Sequence, residues 1–266
     1  MKYSKYTEAN RAAWNAAMPF HRQAMNEVWD RHFANQDFIW QKDPELAALK
    51  EMGISGKDVI HLCCNNGIEL LSLKRLGAGR CVGVDISDEA IQDARNRAER
   101  FGIACEFVQS NVYEVPQNYY NSFDLVYITI GAFCWLPDLT ELFKVVRALL
   151  KPTGKLFIYE QHPFTQMLPF EVKGNRNRPE LTENYFQAGE ISSNEGLDYY
   201  GNCEYESPLS YEFVHTLSDI FSAILDSGLQ ISKFKEYDHD ISNGFAWVKN
   251  TGLSLPLSYI LCADAV

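Results

Sequence analysis

The stretch Asp58-Val-Ile-His-Leu-Cys-Cys-Asn-Asn-Gly67, followed by Val82-Gly-Val-Asp-Ile-Ser87, decides the fold of this chain. Val59–Cys63 is a short apolar run that reads as a buried strand, and the residues up to Gly67 read as a tight turn. Ile68, Leu71 and Leu76 then form a helical stripe that stops at Gly77, ahead of a second buried strand, Cys81–Asp85, ending in an acid. Such a unit brings a backbone turn and a carboxylate to one edge of a parallel sheet, where a nucleoside can be held. The carboxylate accepts hydrogen bonds from a ribose diol, and the turn lets the chain approach the ligand closely.

The alternation continues outward from this unit. Ser87 is placed to cap a helix whose first turn holds Asp88 and Glu89, near the positive end of its dipole. Ile91, Ala94, Ala98 and Phe101 line one face of that helix, and Gly102 ends it. Glu106–Gln109 and Phe123–Ile128 read as the third and fourth strands. Asp138 and Glu141 open a helix with Leu142, Val145, Val146 and Leu149 facing inward; Lys151-Pro-Thr-Gly154 breaks it, and Lys155–Glu160 is the fifth strand. Residues 161–215 lose the pattern and predict a lid or small antiparallel excursion. Thr216–Ser227 is a further helix, with Leu229–Phe234 and Leu257–Ala263 as final strands. Ahead of the core, residues 7–18 and 22–34 read as two amphipathic helices joined at Pro19. The expectation is an α/β fold: a seven-stranded, mostly parallel, doubly wound, Rossmann-like sheet with its last strand antiparallel. It forms a single domain, with residues 1–50 as a helical N-terminal cap, 51–160 and 216–266 as core, and 161–215 as an inserted lid.

Composition narrows the function classes. Apolar residues at 46% and aromatics at 13% supply a full core. A net charge of -11 disfavours a nucleic-acid partner, which needs a basic footprint. The densest basic group, Lys173 with Arg176 and Arg178, reads as solvated charge. The first residues, Met-Lys-Tyr-Ser-Lys-Tyr, contain no apolar leader, and no segment is long and apolar enough to span a bilayer. None of the seven cysteines has Cys-x-x-Cys spacing, and most sit in apolar runs as reduced core residues do. A cytoplasmic protein without a metal site or a membrane partner is expected.

Four ordered blocks resemble the class I S-adenosylmethionine-dependent methyltransferases. They are Val59-Ile-His-Leu-Cys-Cys-Asn-Asn-Gly67; Gly83-Val-Asp85-Ile-Ser; Phe107-Val-Gln-Ser-Asn111-Val112; and Phe123-Asp-Leu-Val-Tyr-Ile-Thr-Ile-Gly-Ala-Phe-Cys-Trp135-Leu-Pro-Asp138. The flanking Asn10-Arg-Ala-Ala-Trp-Asn15 and His162-Pro-Phe164 resemble a bacterial subgroup of small, mostly uncharacterised members. The resemblance implies methyl transfer from S-adenosylmethionine, with S-adenosylhomocysteine as product; with the acidic, aromatic-rich cap, the expected acceptor is a small, uncharged or mildly polar molecule. It implies that Cys63, Asn65 and Gly67 form the ligand turn and that Asp85 binds the ribose beside Ile86. Asn111 and Val112 would meet the adenine, and Ile130 would lie in the turn beneath the methionine. His61, Cys63 and Asn65 depart from the family's acid and two glycines, although Asn tolerates a left-handed backbone.

Each of these residues also has a plainer reading. Asp85 can cap a helix, but a carboxylate ending an apolar strand is better explained by a ligand. Asn111 can serve a turn, and Trp135 the core. His162, after the fifth strand, and His215, before the next helix, are the candidate bases; a lone histidine is as readily a structural hydrogen-bonder. Trp14, His21, Trp135, Tyr185 and Tyr211 are the expected lining of the acceptor pocket. Three other classes stand beside this reading. Macromolecular methylation is one, though Thr129-Ile-Gly-Ala132 carries no Pro-Pro-Tyr signature. A nicotinamide oxidoreductase lacks its G-x-G-x-x-G. The third is a degenerate protein that binds the nucleoside without turnover.

Overall fold

The computed structural model describes residues 2–170, 180–201, 203–242 and 244–266. The basic trio Lys173, Arg176 and Arg178 lies outside the described residues. Each apolar run of the core becomes a strand, and each stripe a helix. The order is α1 (Ser4–Ala34), α2 (Glu45–Met52), β1 (Val59–Leu62), α3 (Ile68–Arg75), β2 (Cys81–Asp85), α4 (Asp88–Arg100), β3 (Glu106–Gln109) and β4 (Phe123–Thr129). Then come α5 (Leu139–Leu149), β5 (Leu150–Gln161), β6 (Glu190–Glu195), β7 (Glu206–Phe213), α6 (Leu217–Asp226), β8 (Leu229–Tyr237) and β9 (Ser258–Ala265).

Seven strands form one sheet in the order β3-β2-β1-β4-β5-β9-β8. All run parallel except β9, which is antiparallel to both β5 and β8. The expected sheet and its antiparallel last strand are therefore present. The chain winds outward from β1 to β3, then returns to place β4 on the other side of β1. That reversal leaves a crevice above the carboxyl ends of β1 and β4. One face of the sheet is covered by α5 and α6, through Leu142, Val146, Leu149, Ile220 and Ile224. The other is covered by α1 to α4, through Trp29, Leu49, Leu70, Leu73, Ile91 and Ala94. Each such aliphatic side chain contributes roughly 1.5–3 kcal/mol when fully buried, so the layering follows from the stripes.

Two features differ from the sequence reading. The N-terminal segment is one helix, with Pro19 inside it, rather than two. A proline in a helix interior costs about 3 kcal/mol, largely for the lost N–H bond and the clash of its ring. Burial on both sides of it, by Ala13, Ala17, Met18, His21, Trp29 and Phe33, offsets that cost and keeps the helix continuous. Lys151-Pro-Thr-Gly154 does not precede β5 but lies within it, the strand joining α5 without a gap. The inserted residues contain a two-stranded antiparallel sheet, β6 with β7, and β7 lies against α1.

Candidate cofactor and active site

The turn after β1 keeps the backbone of a glycine-rich loop with few glycines. Cys63, Asn65 and Gly67 have φ of 56°, 46° and 78°, all left-handed. A non-glycine residue there costs roughly 1–2 kcal/mol, so the conformation must be held by what surrounds it. The Asn65 N–H donates to Asp85 Oδ2 (2.8 Å), and Asn65 Oδ1 accepts from the Asn66 N–H (2.7 Å). The Cys64 N–H donates to the Val84 carbonyl (3.0 Å), tying the turn to β2. Gly67 cannot be replaced so easily. A Cβ there would lie 2.6 Å from Phe107 Cε1 and 2.9 Å from Ala94 Cβ.

Asp85 ends β2 at the same sheet edge. Its Oδ1 accepts from the Ser87 N–H (2.9 Å), while Oδ2 takes the Asn65 N–H. Burial raises its carboxyl above the ordinary range, and the N–H groups of Ser87, Asn65 and Ile86 oppose that rise. The carboxylate keeps acceptor capacity beyond these N–H groups, which suits a ribose hydroxyl. Partly buried Ile86 follows it in the chain. Asn111 Oδ1 accepts from the Tyr113 N–H (3.1 Å) and caps the short 3-10 turn that begins at buried Val112.

A second strand-terminal acid, Glu160, shapes the neighbouring turn. It is buried at the end of β5, with Oε1 accepting from the N–H groups of Gly131 (2.5 Å) and Gln161 (2.7 Å) and Oε2 from that of Ala132 (2.8 Å). These bonds hold the loop containing Ile130, an exposed residue at the crevice. Sequence reasoning passed over Glu160, although an acid ending an apolar strand is the same signal that marked Asp85. Beneath the crevice His61 Nε2 lies 2.9 Å from Thr129 Oγ1, and burial lowers the ring's pKa to about 3, so it is neutral.

The cap is fastened by polar side chains of α1. Asn10 Nδ2 donates to the carbonyls of Tyr211 (2.9 Å) and Trp135 (3.3 Å), and its Oδ1 accepts from the Tyr211 N–H (2.7 Å). One residue thus joins α1, β7 and the turn after β4. Arg11 grips Asp88 with contacts of 2.7–2.9 Å, and Asn15 Oδ1 accepts from Ser87 Oγ (2.7 Å). The helix is therefore locked to the first turn of α4, immediately after Asp85.

Of the expected pocket residues, Trp14, His21 and Trp135 come together. The Trp14 ring meets those of Trp135 and His21 edge-on, at 5.2 Å and 6.2 Å between centroids. Tyr199 joins them, 6.3 Å from Trp14 and 4.6 Å from His21; nothing in the local sequence singled it out. Tyr211 packs on Tyr6 instead, and the Tyr185 hydroxyl accepts from the Leu217 N–H (3.1 Å) at the start of α6. Each of the two candidate bases has a ring nitrogen engaged by the backbone. His162 Nδ1 accepts from the Phe164 N–H (3.0 Å) and its Nε2 lies 2.9 Å from Glu236 Oε1. His215 Nε2 donates to the Leu136 carbonyl (2.8 Å), and burial lowers the pKa of both rings.

A left-handed turn, an acid with acceptor capacity to spare and a polar cap residue just after the third strand fit a bound S-adenosyl nucleoside. Comparison with known proteins points the same way. A family model described as a methyltransferase domain matches residues 59–154. The ribosomal protein L11 methyltransferase of Vibrio campbellii is 36% identical over 113 residues, 42% of this chain and 36% of the relative. That of Photobacterium profundum is 33% identical over the same shares. The chain thus matches about a third of the length of these relatives. Among solved structures, an S-adenosylmethionine-dependent methyltransferase from Mesorhizobium loti superposes with a TM-score of 0.59 at 21% identity, over 83% of this chain and 97% of that one. The geranyl diphosphate C-methyltransferase of Streptomyces coelicolor, solved with S-adenosyl-L-homocysteine, gives 0.57 at 14%, over 84% and 76%. Residues 59–154 of this chain thus resemble a methyltransferase domain, and its sheet has the fold of S-adenosylmethionine-dependent methyltransferases.

Proposed function

We propose that this chain transfers the methyl group of S-adenosylmethionine to a small molecule by in-line displacement. The observation that carries the reading is the turn at Cys63–Gly67 sharing the carboxylate of Asp85, at a sheet edge covered by the aromatic group of α1. Asp85 would hold the ribose diol, the turn backbone and Ile86 would flank it, and Asn111 with Val112 would contact the adenine. Ile130, in the loop fixed by Glu160, would border the methionine. Bound there, the cofactor supplies an electrophilic methyl on a sulfonium. Trp14, His21 and Trp135 exclude water and set the direction of approach, which is most of what this displacement demands.

His162 and His215 act in this reading as positioning residues. His215 holds the end of the turn that carries Trp135, and His162 starts the segment after β5. Tyr211 helps seat the cap, and Tyr185 anchors α6. A macromolecular acceptor is the second reading, because the curated relatives act on a ribosomal protein by name. Their match covers 113 residues, so the aromatic cap of this chain has no counterpart to argue from there. Incubation with methyl-labelled S-adenosylmethionine and a fractionated cell extract separates the two. Label is expected in the metabolite fraction; label confined to ribosomal or other protein would replace the small-molecule reading.

A further inference from the structure

Glu69 stands in the first turn of α3, two residues beyond Gly67. Its carboxylate is bonded only to its own backbone N–H, and no cation acts on it among the described residues. Instead it faces groups that are neutral or acidic. Its charge is felt by Glu45 of α2, Tyr127 of β4, Cys64 of the ligand turn, and Tyr199 with Tyr200 of the inserted segment. Tyr199 and Cys64 also feel Asp85, and the turn that leads into Glu69 is bonded to that acid through the Asn65 N–H (2.8 Å).

A hydrogen-bond acceptor without a donor lies by the same tyrosines. The His21 ring is 4.6 Å from that of Tyr199 and 5.0 Å from that of Tyr200, and it is fully buried. Its Nε2 sits 2.9 Å from the Leu197 carbonyl, an oxygen that can only accept, so Nδ1 carries the lone pair. That lone pair has no partner among the described residues. Leaving a buried acceptor unmade is costly, and a carboxylate drawn out of water without a counter-ion costs more.

We propose that Glu69 is the receptor for the ammonium of the methionine portion of the bound nucleoside. An ammonium offers three N–H donors and one positive charge, which is what this corner of the crevice lacks. The assignment rests on the cofactor reading above and extends it to a residue outside the four matched blocks' ligand contacts. It also makes binding proton-linked. Burial pushes the Glu69 carboxyl up to about 7 in the free protein, so near neutrality it holds a proton part of the time. The arriving cation favours the carboxylate, and that proton leaves to solvent.

Titration calorimetry with two probes tests this. S-Adenosylhomocysteine carries the ammonium; 5′-deoxy-5′-methylthioadenosine shares the adenosine and lacks the amino acid. Glu69→Gln is expected to weaken the first by at least about tenfold and the second by less than about twofold. Repeating the wild-type titration near neutral pH, in buffers of different ionisation enthalpy, is expected to reveal proton release. An unchanged ratio of the two affinities overturns the proposal, whether both fall or neither does. If the variant does not fold, absence of proton release by the wild type overturns it instead. A wild-type protein that binds neither probe defeats the cofactor reading itself, which is a different result from an unchanged ratio.

Discussion

The proposed nucleoside end and the proposed acceptor end of the crevice are built in different ways. At the nucleoside end, contacts are short in sequence and mostly made by backbone: Asn65 to Asp85, Cys64 to Val84, Ser87 to Asp85. At the acceptor end, side chains gather from distant segments, as when Asn10 reaches Tyr211 across 201 positions. The first arrangement tolerates unusual residues as long as the backbone path survives. The second depends on particular side chains and on the packing of the insertion.

The sharpest way to break the contrast is at the one turn position where a side chain cannot fit. Gly67→Ala drives a Cβ into Phe107 and Ala94 from a left-handed residue. We expect a loss of about 3–5 kcal/mol in denaturant unfolding, with cofactor binding abolished. At the acceptor end, Asn10→Ala removes three hydrogen bonds at a buried residue. A loss of about 2–3 kcal/mol is expected, together with at least tenfold slower methyl transfer. S-Adenosylhomocysteine affinity should stay within about threefold, because the turn and Asp85 are untouched. Equal losses in binding and transfer would show that the two ends are not separable.

A smaller effect concerns the acids beneath the crevice. Burial pushes Glu45, which accepts the Tyr127 hydroxyl, up to about 8 and Glu69 up to about 7. Raised carboxyls stabilise the fold fully below their unfolded value and lose that contribution as pH rises through the folded value. Buried His21 and His61 and half-buried His215 are depressed, so their opposing influence is complete by neutrality. The ligand-free protein should therefore lose about 1–2 kcal/mol between about pH 7 and pH 8.5, seen as a falling melting temperature. Glu45→Gln should flatten that slope, and an unchanged slope would exclude Glu45 as its source. The mildest change is Cys63→Gly, which relieves a left-handed cysteine. It should stabilise by no more than about 1 kcal/mol, since glycine gains conformational freedom in the unfolded chain.

The same contrast explains what could be read without coordinates. Strand, turn and acid lie within 28 residues, from Asp58 to Asp85, and their local chemistry names their places. Asn65 was legible because asparagine accepts a left-handed backbone; the matching conformation at Cys63 was not, since only its surroundings impose it. Pro19 suggested a break that the packing of α1 overrides. Tyr199 and the bridging role of Asn10 had no periodicity to betray them, because an irregular insertion shows which residues meet only once it is folded. Glu160, an acid ending an apolar strand, carries the same local signal as Asp85.

The central claim is that the Cys63–Gly67 turn and Asp85 together hold an S-adenosyl nucleoside. Calorimetric titration of the full chain with S-adenosylhomocysteine tests it most directly, with Asp85→Ala as the partner measurement. Saturable one-to-one binding is predicted, weakened by at least about 100-fold in Asp85→Ala, or about 2.7 kcal/mol. A folded wild-type chain that gives no saturable signal, or an Asp85→Ala chain that binds equally well, would contradict it.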